Sequence, residues 1–386
     1  MSSLDKNTVQ SLVGEALDKI SSKSTKADTR GLRRWKPSKA PKGNIAISVK
    51  EDVPITHPIS SSSKTPVEAS GFAISPATYN EGKESGIYAT VEGAVAASKK
   101  AQKELSDISL GQRKKMISAM REIILKNAEI LSAEAVKETG MGRFESKVIK
   151  HQLIAERTPG IEDIQPVAYT GDFGLTIEER APWGVIASIT PVTNPSATIV
   201  CNAIGMVAGG NGVVFSPHPS AKEVSLRTIQ LLNKAIITAG GPPNLLSSIS
   251  EPSIINAQTL MAHPDIKLLV VTGGMKVVIE SLKYGKKVIA AGPGNPPVVV
   301  DETADTKKAA FDILSGASFD NNIPCICEKE VFVVDEVFDE FKYRLKEYGA
   351  YELSQWQLKR MVKILLTEDR GPGKAGTPNI NLIGRD

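Results

Sequence analysis

The sequence predicts an α/β protein with a doubly wound parallel sheet and a second α/β domain, the whole preceded by a short amphipathic helix and a linker. Three observations lead there. Continuous apolar runs such as WGVIASI (183–189), GVVFS (212–216) and IKLLVVT (266–272) read as strands buried on both faces, each followed by a turn and a helical pattern. Strand, helix, strand in short order builds a parallel sheet. The third observation is the size and balance of the chain: 386 residues, 41% hydrophobic, 23% charged, with a net charge of +4, suit a globular enzyme-sized protein and exclude fibrous or wholly disordered classes.

The elements follow in order. TVQSLVGEALDKI places Val9, Leu12, Val13, Ala16, Leu17 and Ile20 on one stripe of a short helix over 1–20. Residues 21–80 are rich in Ser, Lys, Pro and Thr, including the basic stretch 26–43, and read as a flexible linker. A helix on such a tether suits docking onto another protein. From about residue 90 a long helical pattern runs to Gly140, which closes it. A charged segment over 143–163 precedes the strand and helix units, and DEFKYRLKEYGAYELSQWQLKRMVKILL reads as helical. The globular part divides into one segment over 81–247 and another over 248–386. No run of about eighteen apolar residues suggests a membrane span.

The chemistry centres on SFDNNIPCICEKEV (318–331), which holds two of the three cysteines one residue apart. A zinc site needs about four ligands, and neither a further cysteine pair nor clustered histidines lie nearby. The Cys-x-x-Cys turn of thiol oxidoreductases is also absent. Two small buried thiols in a strand, or one nucleophile with a bystander, both remain open. Asn321, Asn322 and Pro324 mark irregular backbone before the apolar run VFVV, so Cys325 stands near a junction of loop and strand.

From about residue 85 onward the chain resembles the aldehyde dehydrogenase superfamily, in particular its coenzyme A-acylating branch of bacterial microcompartments. The matching pieces are PVTNP (191–195), VVFSPHPSAKE (213–223), VTGG (271–274), AAGPGNPPVVVD (290–301) and SFDNNIPCICEKEV. The resemblance implies a catalytic nucleophile at Cys325, with Cys327 a bystander, and a side-chain donor to the developing oxyanion at Asn194. For the nicotinamide cofactor it implies Thr190, Pro191, Ser216, Pro217, His218, Pro219, Thr272, Gly273, Gly274 and Gly292, with a cofactor-binding domain over 81–247 and a catalytic domain over 248–386. Many relatives carry Lys at the position of Ser216 and Glu at that of Pro219, residues that favour NAD over NADP; their absence leaves NADP open beside NAD. Hydrolytic relatives carry a water-activating glutamate where this chain has Ala290, so coenzyme A is the implied acceptor of the acyl group.

The resemblance further implies oxidation of a short-chain aldehyde to an acyl-coenzyme A, a homo-oligomer when full length, and a place in the bacterial cytoplasm within a microcompartment lumen. Residues 1–20 would meet shell or cargo proteins. Relatives continue past GTPNINLIGRD through a segment that completes the catalytic domain, so this reading expects the 386 residues to be truncated and inactive. A hydrolytic semialdehyde dehydrogenase and an inactive interaction protein are the competing readings.

Overall fold

The computed structural model describes residues 85–368 and 376–385. The expected helix over 1–20 and the expected linker over 21–80 lie outside them.

A six-stranded parallel sheet organises the fold. Its strands are β1 (Ile87–Tyr88), β4 (Val185–Ile189), β5 (Gly212–Ser216), β6 (Leu246–Ile249), β7 (Ile266–Thr272) and β8 (Lys287–Ala291), in the spatial order β1-β6-β5-β4-β7-β8. From β4 the chain winds outward through β5 and β6, then crosses back to place β7 and β8 on the other side. The sheet therefore does not stop at residue 247, where the sequence reading divides the chain: β7 pairs with β4 and β8 with β7. Each βα unit looks alike locally, and only the crossover decides which sheet a strand joins.

Side chains alternate between two cores, as the pleat requires. Val213 and Phe215 face one core with Met116, Ile199 and Ile229, whereas Val214 faces the other with Ala94, Val95 and Ile249. The first core is closed by α2 (Leu110–Thr139), α3 (Phe144–Arg157), α4 (Pro195–Ala208) and α5 (Lys222–Thr238); the second by α1 (Val91–Ser106) and α6 (Ile254–Ala262). Local signals set the helix ends. Ser109 caps α2 through the Gln112 amide, and Gly140 closes it with φ of 65°, a left-handed conformation that costs glycine nothing. The Glu138 carboxylate accepts from the amides of Glu223 and Val224 at 2.8 and 2.9 Å, where the start of α5 leaves donors unpaired.

The charged segment expected over 143–163 is mostly α3, whose inward face carries Lys147, His151 and Ala155. An antiparallel hairpin that the sequence reading did not assign follows, β2 (Val167–Gly171) with β3 (Gly174–Glu178), exposed along its whole length. After α7 (Met275–Ser281) and β8, residues 292–296 lead into a second sheet, β9 (Pro297–Val300) parallel to β10 (Glu330–Val333). Val300, Ala310, Ile313 and Phe341 form its small core with α8 (Thr306–Ser318) and α9 (Asp335–Glu347). The long helical stretch expected near the end is two helices, α9 and α10 (Gln355–Leu365). Gly349, at φ of 94°, and a Ser354–Gln357 capping box separate them.

Candidate active site

The connection from α8 to β10 carries the cysteine pair, and its backbone is unusual. Asp320, Asn321 and Asn322 are consecutive left-handed residues, with φ of 50°, 54° and 57°. Each such residue costs an L-amino acid roughly 1–2 kcal/mol, least for Asn and Asp. Tertiary contacts hold them there. The fully buried Asp320 carboxylate accepts from the Arg143 amide at 2.8 Å, from Lys147 Nζ at 3.3 Å and from Lys150 Nζ. Asn322 Nδ2 donates to the carbonyls of Ala317 and Glu328, tying both ends of the loop, while Asn321 Nδ2 donates to the Gly384 carbonyl at 3.0 Å. Gly142 lies against Asp320 Oδ1 so closely that no Cβ fits.

The cysteines therefore stand on a turn, not in a strand: the Cys327 amide donates to the Pro324 carbonyl at 3.1 Å, and β10 begins only at Glu330. The turn separates their environments. Cys325 is exposed and Cys327 is buried, its Sγ 3.9 Å from the Phe319 carbonyl. Burial pushes the Cys327 thiol up, and does the same to Cys201 on α4. The backbone between β8 and β9 seats directly on the turn that carries Cys325: a Cβ on Gly294 would lie 2.6 Å from the Cys325 carbonyl oxygen.

Asn194 occupies the N-cap position of α4 without a side-chain capping bond, and its Oδ1 accepts from Lys150 Nζ. Lys150 also pairs with Asp320, five residues before Cys325, so one ammonium joins the asparagine to the loop that carries Cys325. Beneath it Lys147 is 2% exposed; burial, assisted by Lys150 and opposed by Asp320, brings its ammonium down to about 8. Burial lowers Lys150 as well, against the pull of Asp320. His151 is pushed down to about 4, first by burial. Its tautomer follows from its neighbours. The Lys147 carbonyl, 2.8 Å from Nδ1, can only accept, so Nδ1 carries the proton and Nε2 accepts from the Ser196 hydroxyl at 2.8 Å.

The expected cofactor residues gather along the carboxyl edge of the sheet. Ser216, Thr190 and Thr272 end or follow β5, β4 and β7, and Gly292 follows β8. The strand order reverses between β4 and β7, and open α/β sheets bind ligands at such a switch point. The Thr190 amide donates to the Ser216 carbonyl at 3.1 Å, while the Thr190 hydroxyl is buried without a hydrogen-bond partner. Pro191 follows Thr190. Pro217 is buried beside Ser216, His218 accepts from the Ser220 amide at 3.1 Å, and Pro219 opens a short 3₁₀ turn. Gly273 donates to the Ala291 carbonyl at 3.2 Å, and Gly274 caps α7; no atom lies within 4 Å of a Cβ built on either. An unpaired buried hydroxyl beside open glycine backbone fits a dinucleotide. Ala290 is exposed on β8, paired with Val271.

The aldehyde dehydrogenase family profile matches residues 74–354 of the chain. The chain belongs to the aldehyde dehydrogenase family. It is 51% identical over 304 residues to an acetylating acetaldehyde dehydrogenase of Bilophila wadsworthia, covering 78% of this chain and 62% of that protein. Thus the chain spans less than two thirds of that relative's length. Among solved structures it is similar to the propionaldehyde dehydrogenase of the Clostridium phytofermentans fucose utilisation microcompartment, at 47% identity and a TM-score of 0.73, covering 78% of this chain and 68% of that one. It is likewise similar to Rhodopseudomonas palustris propionaldehyde dehydrogenase with bound coenzyme A and an acylated cysteine, at 48% identity and a TM-score of 0.70, covering 73% and 65%.

Sequence reasoning did not single out Lys147, Lys150, His151 or Asp320. The one available signal was the spacing of Lys147, Lys150 and His151 on one helical face, which local sequence alone makes a solvated face.

Proposed function

We propose that the whole protein is a coenzyme A-acylating aldehyde dehydrogenase, which oxidises a short-chain aldehyde with NAD and passes the acyl group to coenzyme A. The observation that carries this reading is the contrast among the three thiols: Cys325 alone is exposed, on a turn that buried side chains brace. The deprotonated Cys325 sulfur adds to the aldehyde carbonyl, and the carbonyl oxygen takes up the negative charge. Asn194 Nδ2 donates to that oxygen. When bound along the carboxyl edge of the sheet, NAD would supply the acceptor for the hydride that the thiohemiacetal carbon loses as it becomes a thioester on Cys325. Thr190, Ser216, Thr272, Gly273, Gly274 and Gly292 would hold the dinucleotide, with Pro191, Pro217, His218 and Pro219 shaping the same edge. Ala290 offers no carboxylate to activate water. The sulfur of coenzyme A then adds to the thioester, and Cys325 leaves as thiolate. The acetylating activity named for the Bilophila relative, and the acylated cysteine beside coenzyme A in the Rhodopseudomonas structure, support this order of steps.

Product analysis on the full-length protein tests it with acetaldehyde, propanal and lactaldehyde. The expected product is acyl-coenzyme A with one NADH for each; free carboxylate at the same rate without coenzyme A would establish the hydrolytic reading instead.

The same proposal places the protein in the lumen of a bacterial microcompartment, as a homo-oligomer, with residues 1–20 folding against a shell or cargo protein. The microcompartment origin of the Clostridium structure supports this, as does the apolar stripe Val9, Leu12, Val13, Ala16, Leu17 and Ile20. Each large side chain buried on docking contributes roughly 1.5–3 kcal/mol before ordering costs. Leu12→Asp with Leu17→Asp is expected to release a reporter fused to residues 1–20 from purified compartments. Unchanged encapsulation would refute the assignment.

A further inference from the structure

We infer that Lys150 is a positioning residue: its ammonium grips the Asn194 amide oxygen and the Asp320 carboxylate together, and so fixes the oxyanion donor relative to the nucleophile turn. The inference rests on the reading of Cys325 and Asn194 given above and extends it to a residue with no part in the bond-making steps.

The geometry is specific. An ammonium only donates, so the atom of Asn194 that it meets must be the oxygen, and the orientation of the amide is dictated by chemistry. The Nδ2 protons are thereby turned away from Lys150; Nδ2 lies 3.3 Å from the neighbouring Thr193 hydroxyl and has a second proton to give. Without Lys150 the amide is free to rotate about its last bond and present its oxygen to a developing oxyanion, which repels instead of stabilising. The other hand of Lys150 rests on Asp320, which is fully buried and opens the run of three left-handed residues before Cys325. Lys147 and the Arg143 amide also hold Asp320, so its carboxylate keeps partners when Lys150 is removed. The role of Lys150 in the loop is therefore duplicated, and its role on Asn194 is not.

Two reagents separate these roles on the full-length protein. Iodoacetamide alkylates Cys325 by displacement of iodide and forms no oxyanion. With p-nitrophenyl acetate the thiolate adds to the ester carbonyl, the tetrahedral oxyanion forms, and p-nitrophenolate leaves with its electron pair to give an acetyl thioester. The ratio of acetylation to alkylation at Cys325, followed by peptide mass, isolates the oxyanion contribution. Asn194→Ala is expected to lower that ratio by about 100-fold, the usual loss for one oxyanion donor. Lys150→Met is expected to lower it by about 10-fold or more, with Lys150→Arg recovering part of the loss and the double variant Lys150→Met with Asn194→Ala no worse than Asn194→Ala alone. An unchanged ratio in Lys150→Met, or losses that multiply in the double variant, would overturn the inference while leaving Asn194 as donor. An unchanged ratio in Asn194→Ala would remove the oxyanion reading and the inference with it. Should Lys150→Met fail to fold, Lys150→Gln, neutral but still a donor, is read by the same ratio.

Discussion

In β4 and β5 every side chain is buried and nearly every one is apolar, whereas the loop from Asp320 to Cys327 buries a carboxylate completely and leaves Cys325 and Ile326 exposed. The strands gain stability from burial and regular pairing. The loop spends it, through three left-handed residues and two lysines drawn out of water toward one aspartate. The difference teaches where function sits: the sheet supplies rigidity at its carboxyl edge, and the loop uses that rigidity to hold a thiol at the surface in one conformation.

Removing the thiol should have the largest effect. In the full-length protein Cys325→Ala is expected to reduce coenzyme A-dependent NADH formation to the background rate, while Cys327→Ala retains most of it; steady-state kinetics decide, and the reverse order of effects would place the nucleophile on the buried side of the turn. Next in size, Asn194→Ala should lower kcat by about 10²–10³-fold with a smaller change in KM, because an oxyanion donor acts mainly in the transition state.

Acid tests the buried network under the loop. His151 titrates at about 4 in the folded protein against 6.5 for the ordinary group, so between those values the unfolded chain binds the proton and the folded protein does not. Its contribution to stability is fully present above pH 6.5 and is lost as pH falls toward 4, by up to roughly 3 kcal/mol. Chemical denaturation of the protein and of His151→Gln across that range measures it; equal slopes for both would contradict the assignment of a buried neutral imidazole.

The smallest effect sharpens the account of the loop backbone. Asn321→Ala should destabilise by about 1–2 kcal/mol, because alanine tolerates φ of 54° poorly and the bond to the Gly384 carbonyl is lost. Asn321→Gly keeps the conformation and should cost less. Equal losses for alanine and glycine would mean that the side-chain bond, and not the backbone, dominates.

The two regions also differ in how far the sequence reveals them. WGVIASI, GVVFS and IKLLVVT announce buried parallel strands by continuous apolar character, and Gly140 announces the end of α2; each signal is local, and each is found where expected. The division at 247 cuts across the sheet because nothing within β7 or β8 says that they rejoin the sheet of β4. The exposed β2–β3 hairpin escapes because it packs into no core and so shows no buried face. The site divides in the same way. The motif around Cys325 is visible by resemblance, and its Asn-Asn-x-Pro spacing already signals irregular backbone. Lys147 and Lys150 read as solvated charge because their partner, Asp320, lies 173 and 170 positions away in the chain. Only the folded chain shows that these charges face inward.

An acyl group that rests on Cys325 and leaves to a thiol can be caught before it leaves. Full-length protein incubated with propanal and NAD but without coenzyme A, then quenched in acid and digested, tests this directly by peptide mass. The expected result is a propanoyl group on the peptide at Cys325, discharged on addition of coenzyme A as propanoyl-coenzyme A in equal amount. An acyl group on Cys327 or Cys201, or discharge to free propanoate at the same rate whether or not coenzyme A is added, would contradict it.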